Sequence, residues 1–476
     1  MNPLSPVVQK EQEELLASLL ETASYTRFGQ NHRFKKITGY TDFSERVPIQ
    51  NYKQIKASVE QLKEGAENLF WPGGVQKFAV SAGTSGEGKH LPLADERLKS
   101  DRRFMRKVIL SYFKQRPNIF RLLGGQISMP GSLDKQDGLL IGEISGYSAL
   151  HEPAWLQWLQ VADPQKLTNL SFQEKFDLLL ENALEADLRV ITAVPSWTLT
   201  LFQQVLEKTG KESIEEIWPN LNLLVCGGVK LANYKPYLEQ LAGGLSLDFI
   251  ETYGASEGYI GYSDKLERDD LKMVTDNGVF FECLPNPSPN ITDSHAREAL
   301  PLWKVQKGVH YGLLLSTNAG LWRYKLNDII EFTSLDPLRF VVKGRVSDVL
   351  DEYGEALYIY EAEEALQSFA DAQGFEVSNF SIAPMLRDKQ EIPYHHWYIQ
   401  LNAGVSEDQL EVLATHIDTH LQEINRHYAI RRETNALGKP QISTINQSDI
   451  NRWKKEQGND SAQSKLPRIL DKNMKI

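Results

Sequence analysis

Apolar positions along this chain recur with two different periods, and the alternation between them outlines a fold. Between Glu11 and Ser24, the residues Leu15, Leu16, Leu19, Leu20 and Ala23 return at the spacing of an amphipathic helix. Tyr52 to Gly65, Asp95 to Phe113 and Ser171 to Glu185 are predicted to be further helices, and Leu231 to Leu241 another. Short apolar runs read as strands at Gln76–Val80, Leu188–Val194, Leu221–Val225 and Leu247–Ile250. Ser196, just after Pro195, is the expected N-cap of a helix from Trp197 to Lys208. Strands that alternate with helices predict a largely parallel sheet covered by helices, with ligands beyond the carboxyl ends of its strands. The turns at Gly227-Gly228 and Tyr253–Gly258 fall at such ends.

The texture changes after Gly278. Short strands at Gly278–Cys283, Gly312–Thr317, Asp328–Phe332 and Arg339–Val342 predict an antiparallel, barrel-like subdomain. Gly344-Arg345-Val346-Ser347-Asp348 reads as a boundary. Beyond it the chain restarts with a helix (Tyr358–Asp371), two strands (Val377–Ala383 and His395–Leu401) and a helix (Glu407–His427). The expected fold class is therefore α/β. A large N-terminal domain over residues 1–343 has mixed and parallel sheets flanked by helices, plus the barrel-like part. A small α+β domain follows over residues 344–476, with a hinge at 344–350. The polar stretch from Arg452 to Ile476 has the composition of a frayed tail.

Composition narrows the function classes. Hydrophobic residues make up 41% and charged residues 24%, the balance of a soluble globular protein. A formal net charge of −11 opposes nucleic acid or an anionic membrane surface as the main partner. The two cysteines, Cys226 and Cys283, suggest neither a disulfide framework nor a thiolate metal site, and Cys226 is expected in the core. No apolar run approaches about 18 residues and the N-terminus lacks a signal pattern, so a cytoplasmic monomer without membrane insertion is expected.

The densest candidate chemistry is Ser81-Ala82-Gly83-Thr84-Ser85-Gly86-Glu87-Gly88-Lys89, with three glycines and three hydroxyl residues in one loop. Backbone N–H groups between a strand and a helix can converge on one anion, and Ser and Thr add donors without bulk. A nucleotide polyphosphate suits such a loop, although its composition alone equally fits an ordinary turn. Gly83-x-x-x-x-Gly88-Lys89 begins like a phosphate-binding Walker motif. His90 then stands where that motif needs a hydroxyl for magnesium, which disfavours a P-loop NTPase. On the next helix, Arg102, Arg103 and Arg106 are either a solvated basic face or cations aimed at an anionic substrate.

Four motifs in order resemble those of the acyl-adenylate-forming, firefly-luciferase-like superfamily: the loop Ser81–Lys89, Tyr253-Gly254-Ala255-Ser256-Glu257, Asp328, and Gly344-Arg345-x-x-Asp348. Within it, the chain resembles the Gretchen Hagen three family of auxin-responsive acyl-acid amido synthetases. Thr26-Arg27-Phe28-Gly29 with Phe43-x-x-x-Val47-Pro48-Ile49-x-x-Tyr52 is similar to that family's opening. Trp322-Arg323-Tyr324-x-x-x-Asp328 is similar to its ribose segment, and Gln463-Ser464-Lys465-Leu466-Pro467-Arg468 to its tail. Two departures stand out. Ala82 replaces the second of the paired serines usual in the plant enzymes, and the hinge is closer to the acyl-CoA ligase form.

The resemblance implies a ligase of two half-reactions, using ATP and Mg2+. A small-molecule carboxylic acid is adenylated with release of pyrophosphate, and an amino acid amine, or alternatively coenzyme A, then takes the acyl group. It implies that Ser81, Ala82, Gly83, Thr84 and Ser85 hold the phosphates. Gly227, Gly228, Gly254, Ala255 and Ser256 line the nucleotide, Tyr253 stacks on adenine, and Asp328 and Arg345 reach ribose or phosphate. Glu257 is the implied metal ligand. Lys465 is the favoured mobile lysine for adenylation, with Lys439 of Gly438-Lys439-Pro440 as the alternative. Arg103, Arg106, Tyr147 and Tyr259 are expected near the acid. A rival of another class is a nucleotide-binding protein without catalysis.

Overall fold

The computed structural model describes residues 6–81, 89–152, 154–285, 287, 298–346, 348–350, 352–355, 357–386, 392–402, 404–456 and 466–476. The chain forms two compact units. The first comprises Met1–Leu326 and Ile330–Val342, and the second Asn327–Ile329 and Lys343–Ile476.

Strands at Gly125–Ser128, Leu188–Ala193, Leu223–Gly227 and Asp248–Ala255 pair in parallel, as the alternation of strands and helices requires. Their side chains are apolar on both faces, because both faces are covered. Ile191 and Leu224 pack with Leu179 and Leu201 of the helices Phe172–Leu184 and Pro195–Thr209. The neighbouring Val190 and Val225 pack with Phe104, Val108 and Tyr112 of the helix Asp95–Gln115. The strands expected in a barrel-like part join this same sheet. It continues from Asp248–Ala255 through Gly258–Tyr262, Leu271–Met273, Leu338–Arg345, Tyr324–Leu335, His310–Thr317, Val279–Pro285 and Leu300–Pro301, giving 11 strands.

Two local expectations change. The helix after Leu188–Ala193 begins at Pro195, with Val194 as its cap residue, so Ser196 lies inside the first turn. Proline suits the first helical position because its missing N–H would have no partner there. The stretch expected to be one helix from Leu231 splits into a 3-10 turn, Leu231–Asn233, and a helix, Lys235–Ala242, with Pro236 in its first turn.

The N-terminal segment is tied to the sheet by Arg323, which is fully buried. Its Nε and Nη2 donate to the Glu282 carboxylate at 2.8–3.1 Å, and its Nη1 to the carbonyls of Ser44 and Val47 at 2.7 and 2.8 Å. The Tyr40 hydroxyl adds a donor to Glu282 at 3.0 Å. A buried ion pair is sustained only when such additional hydrogen bonds satisfy it.

In the second unit, strands Val377–Met385, Tyr394–Leu401 and Gln441–Thr444 form a sheet, with helices Ile359–Gln373 and Glu407–Ile424 sharing its core. The expected helix to His427 is interrupted at Asn425, which is extended and caps a second helix, Arg426–Glu433. The end of the chain is not frayed from Leu466 onward. Leu466 and Leu470 are buried, Ile469 bridges to Ile382, and the Ser381 hydroxyl donates to the Pro467 carbonyl at 2.6 Å. Composition misled because two leucines suffice to seat a polar segment. No described helix is long and apolar enough to cross a membrane.

Candidate active site

The glycine-rich loop turns out to join two strands. Lys77–Ser81 pairs antiparallel with Lys89–Pro92, and the helix starts only at Asp95. Residues 82–88, and with them Ala82, Gly83, Thr84 and Ser85, lie outside the described residues. The expected strand–loop–helix anion site is therefore corrected to a hairpin. The helix could not serve an anion well in any case, since its first turn carries Asp95 and Glu96.

The Tyr253–Gly258 segment is mostly strand rather than turn. Tyr253, Gly254 and Ala255 finish the strand Asp248–Ala255, and Ser256-Glu257 alone make the reversal into Gly258–Tyr262, with a register shift between Tyr253 and Gly254. Such irregularities re-aim side chains at sheet ends. A side chain at Gly254 would come within 2.5 Å of the Tyr259 ring, and one at Gly227 within 2.8 Å of Thr252 Oγ1. Any side chain at these two glycines would collide with those neighbours. Gly228 keeps the freedom expected of it, at φ +83°.

Short contacts gather the loop stems around this turn. The Ser256 hydroxyl donates to the Val80 carbonyl at 3.4 Å, on the stem before the loop. On the stem after it, the His90 N–H donates to the Tyr52 hydroxyl at 3.0 Å. The Tyr324 phenol is held far above its ordinary pKa, by burial first, then by the Glu257 carboxylate and by Tyr52. Glu257 is itself buried, and its charge acts on the Tyr324 phenol. Tyr253 meets Phe340 edge-on at 5.7 Å and is half-buried, so one side of its ring is committed to packing.

Beneath the turn lies a pair that the sequence reading passed over. Arg97, 1% exposed, donates Nη1 to the carbonyls of Ser256 and Glu257 at 3.5 and 2.5 Å, and Nε to Asp101 Oδ1 at 2.7 Å. The signal was available: Arg97 and Asp101 fall on the same stripe as Phe104, Val108 and Tyr112, where charged residues are out of place. Arg103 and Arg106 are on other faces of the helix and are exposed, Arg103 donating to the Asp276 carbonyl at 3.3 Å.

Tyr147 is corrected too. It is fully buried, and its hydroxyl accepts from Phe78 N–H at 3.2 Å while lying 3.1 Å from Phe78 O and 2.5 Å from Leu140 O. It latches the strand Lys77–Ser81 to Leu139–Gly142. Tyr259 stacks on Phe104 at 4.6 Å and bonds Ser148; burial, then the Asp101 charge, push its phenol up to about 12. Cys226 is buried and its thiol is likewise pushed up to about 12 by burial, as expected of a core residue.

In the second unit Asp328 and Arg345 come together, with Arg345 Nε 3.3 Å from Asp328 Oδ1. Asp328 sits within the long strand Tyr324–Leu335, its side chain 13% exposed, whereas that of Arg345 is 57% exposed. Lys439 is paired with Glu411, and Lys465 lies outside the described residues.

Glu257 fits Mg2+ in kind: a hard, buried carboxylate beside a loop suited to phosphates. Among the described residues no three acids, histidines or cysteines cluster, so the remaining ligands would be water and polyphosphate oxygens.

Three family models match in order: the GH3 family N-terminal domain over residues 4–168, the central domain over 272–345 and the C-terminal domain over 360–474. The indole-3-acetic acid-amido synthetase GH3.2 of Arabidopsis thaliana is 24% identical over 506 residues, covering 87% of this chain and 89% of that one. GH3.3 of the same plant, with the same named activity, is 25% identical over 427 residues, covering 72% and 69%. Among solved structures, a GH3.15 acyl acid amido synthetase in complex with 2,4-DB has a TM-score of 0.78 at 18% identity, covering 99% of this chain and 93% of that one. A 2-hydroxyisobutyryl-CoA ligase with 2-HIB-AMP has a TM-score of 0.57 at 13% identity, covering 99% and 91%. These structures share the fold of acyl-adenylate-forming enzymes.

Proposed function

The chain belongs to the GH3 family, and we propose that it is an ATP-dependent acyl-acid amido synthetase. The observation that carries this reading is the Ser256-Glu257 turn meeting the stem that enters the glycine-rich loop, through the Ser256 hydroxyl and the Val80 carbonyl. In the first half-reaction a carboxylate oxygen attacks the α-phosphorus of ATP. The α–β phosphoanhydride bond breaks, giving acyl-AMP and pyrophosphate. In the second, an amino acid nitrogen attacks the acyl carbon and loses a proton, the acyl–oxygen bond breaks, and AMP leaves.

The first step brings two anions together, so the protein must neutralise and align them. The residues Ser81–Ser85 hold the β- and γ-phosphates through backbone and hydroxyl donors. Gly228 and Ser256 line the nucleotide, and Tyr253 stacks on adenine. Asp328 accepts the ribose hydroxyls and Arg345 reaches ribose or phosphate. Glu257 would hold Mg2+, which, when bound, neutralises charge on the phosphate oxygens. Lys465 approaches the developing charge on the α-phosphate, with Lys439 as the alternative.

The acyl-CoA ligase reading is kept alive by one feature, the hinge Gly344-Arg345-x-x-Asp348. Enzyme incubated with ATP, Mg2+ and a panel of aryl, indolyl and short lipid-like acids, then offered amino acids or coenzyme A, separates the two by product mass. Amide is expected. Thioester alone overturns the acceptor assignment, and the absence of pyrophosphate exchange with every acid despite tight ATP binding overturns the enzyme.

A further inference from the structure

We infer that Arg97 is a positioning residue for Glu257: it fixes the Ser256-Glu257 turn from below and so holds the backbone that carries the Glu257 carboxylate. This rests on the proposed role of Glu257 as the metal ligand.

The geometry is specific to arginine. One planar group spans three acceptors, with Nη1 on two successive carbonyls of the turn and Nε on Asp101. Both charged residues are at least nine-tenths buried, at 1% and 4% exposure. The pair is also incomplete. Arg97 Nη2 and Asp101 Oδ2 are buried without a hydrogen-bond partner among the described residues. The two carbonyl contacts and the Asp101 contact together fix the plane of the guanidinium against the turn.

The direction matters because Ser256 and Glu257 are the whole of a two-residue reversal. Carbonyls held from below fix the backbone from which the Glu257 side chain projects, in a turn whose Ser256 hydroxyl meets the Val80 carbonyl of the loop stem. Tyr259 completes the arrangement, since it lies over Gly254, stacks on Phe104, and has the Arg97 guanidinium 6.0 Å from its ring centre. Lysine at position 97 would keep the charge, but its single nitrogen could not serve Asp101 and both carbonyls at once.

The test uses the full chain in three variants: Arg97→Lys, the double replacement Arg97→Met with Asp101→Leu, and Glu257→Gln as a control. The double replacement removes both buried charges together, which preserves folding if the lysine variant fails. Two readouts are taken on protein shown to be folded by circular dichroism. They are amide hydrogen exchange across residues 253–262 without ligand, and ATP affinity by calorimetry with Mg2+ and with EDTA.

Either Arg97 variant is expected to speed exchange at 255–258 and to weaken ATP binding about tenfold in Mg2+, with affinity in EDTA unchanged. Unchanged exchange at 255–258 overturns the inference whatever happens to the metal. Faster exchange with unaltered Mg2+ dependence also overturns it, provided Glu257→Gln shifts that dependence. If Glu257→Gln shifts nothing, the metal reading falls instead, and the exchange result alone decides whether Arg97 fixes the turn.

Discussion

Arg323 and Arg97 are both buried guanidinium groups of the first unit, and each faces one carboxylate. Around Arg323 each of the three nitrogens has a partner, shared between Glu282, Ser44 and Val47. Around Arg97 one nitrogen and one carboxylate oxygen are left over. Asp101 is raised above its usual range, because burial outweighs what the Arg97 charge and hydrogen bond return. A closed pair ties the N-terminal segment to the sheet and has nothing left to offer. An open pair beside the Ser256-Glu257 reversal directs its donors to the carbonyls of that turn. The difference teaches that equal burial can accompany unequal hydrogen bonding.

The comparison can be broken by mutation. Arg323→Met strands the Glu282 charge and should cost roughly 3–5 kcal/mol of stability, seen as a lower denaturation midpoint. Replacing Arg323 and Glu282 together by apolar residues should recover much of it. A loss no larger than for an exposed arginine would contradict the closed-pair account.

Glu361 extends the series to a buried acid with no arginine. It accepts from Asn425 at 2.6 Å and from Tyr358 N–H at 3.0 Å, and burial pushes it up to about 7 from a usual 4.5. The folded state therefore keeps this proton to higher pH than the unfolded chain. Its contribution favours folding below about pH 4.5 and is lost as pH rises through 7, by up to roughly 3 kcal/mol. Glu361→Gln should make the second unit more stable at pH 8 while changing little at pH 4. Equal effects at both pH values would refute the assignment.

The smallest stability effect is expected at Lys439, whose pair with Glu411 is largely exposed. Lys439→Ala should change stability by less than about 1 kcal/mol and leave pyrophosphate exchange near wild type, whereas Lys465→Ala should cut exchange sharply. The reverse pattern would make Lys439 the adenylating lysine.

Periodicity made most of the fold legible. The parallel strands Leu188–Ala193, Leu223–Gly227 and Asp248–Ala255 carry short apolar stretches such as Val190-Ile191, Leu223–Cys226 and Phe249-Ile250, and these stand out. What stayed hidden depends on pairing across the chain. Nothing near Lys89 announces a strand, since Lys89–Pro92 is short and exists only as the partner of Lys77–Ser81. Tyr147 looks like a substrate contact until the two strands it latches are seen together. Arg103 and Arg106 drew notice by being clustered, and Arg97 escaped it by standing alone, although its helical phase placed it inward. Gly254 kept its motif position, yet its missing side chain serves the Tyr259 ring.

The central claim is that a carboxylate is activated as its adenylate. An acid labelled with oxygen-18 in its carboxylate, offered with ATP, Mg2+ and an amino acid, tests it most directly. One carboxylate oxygen attacks the α-phosphorus and stays there when the amine displaces AMP. The account predicts AMP bearing one labelled oxygen and unlabelled pyrophosphate. Label in inorganic phosphate with ADP as the product, or AMP without label, would contradict it.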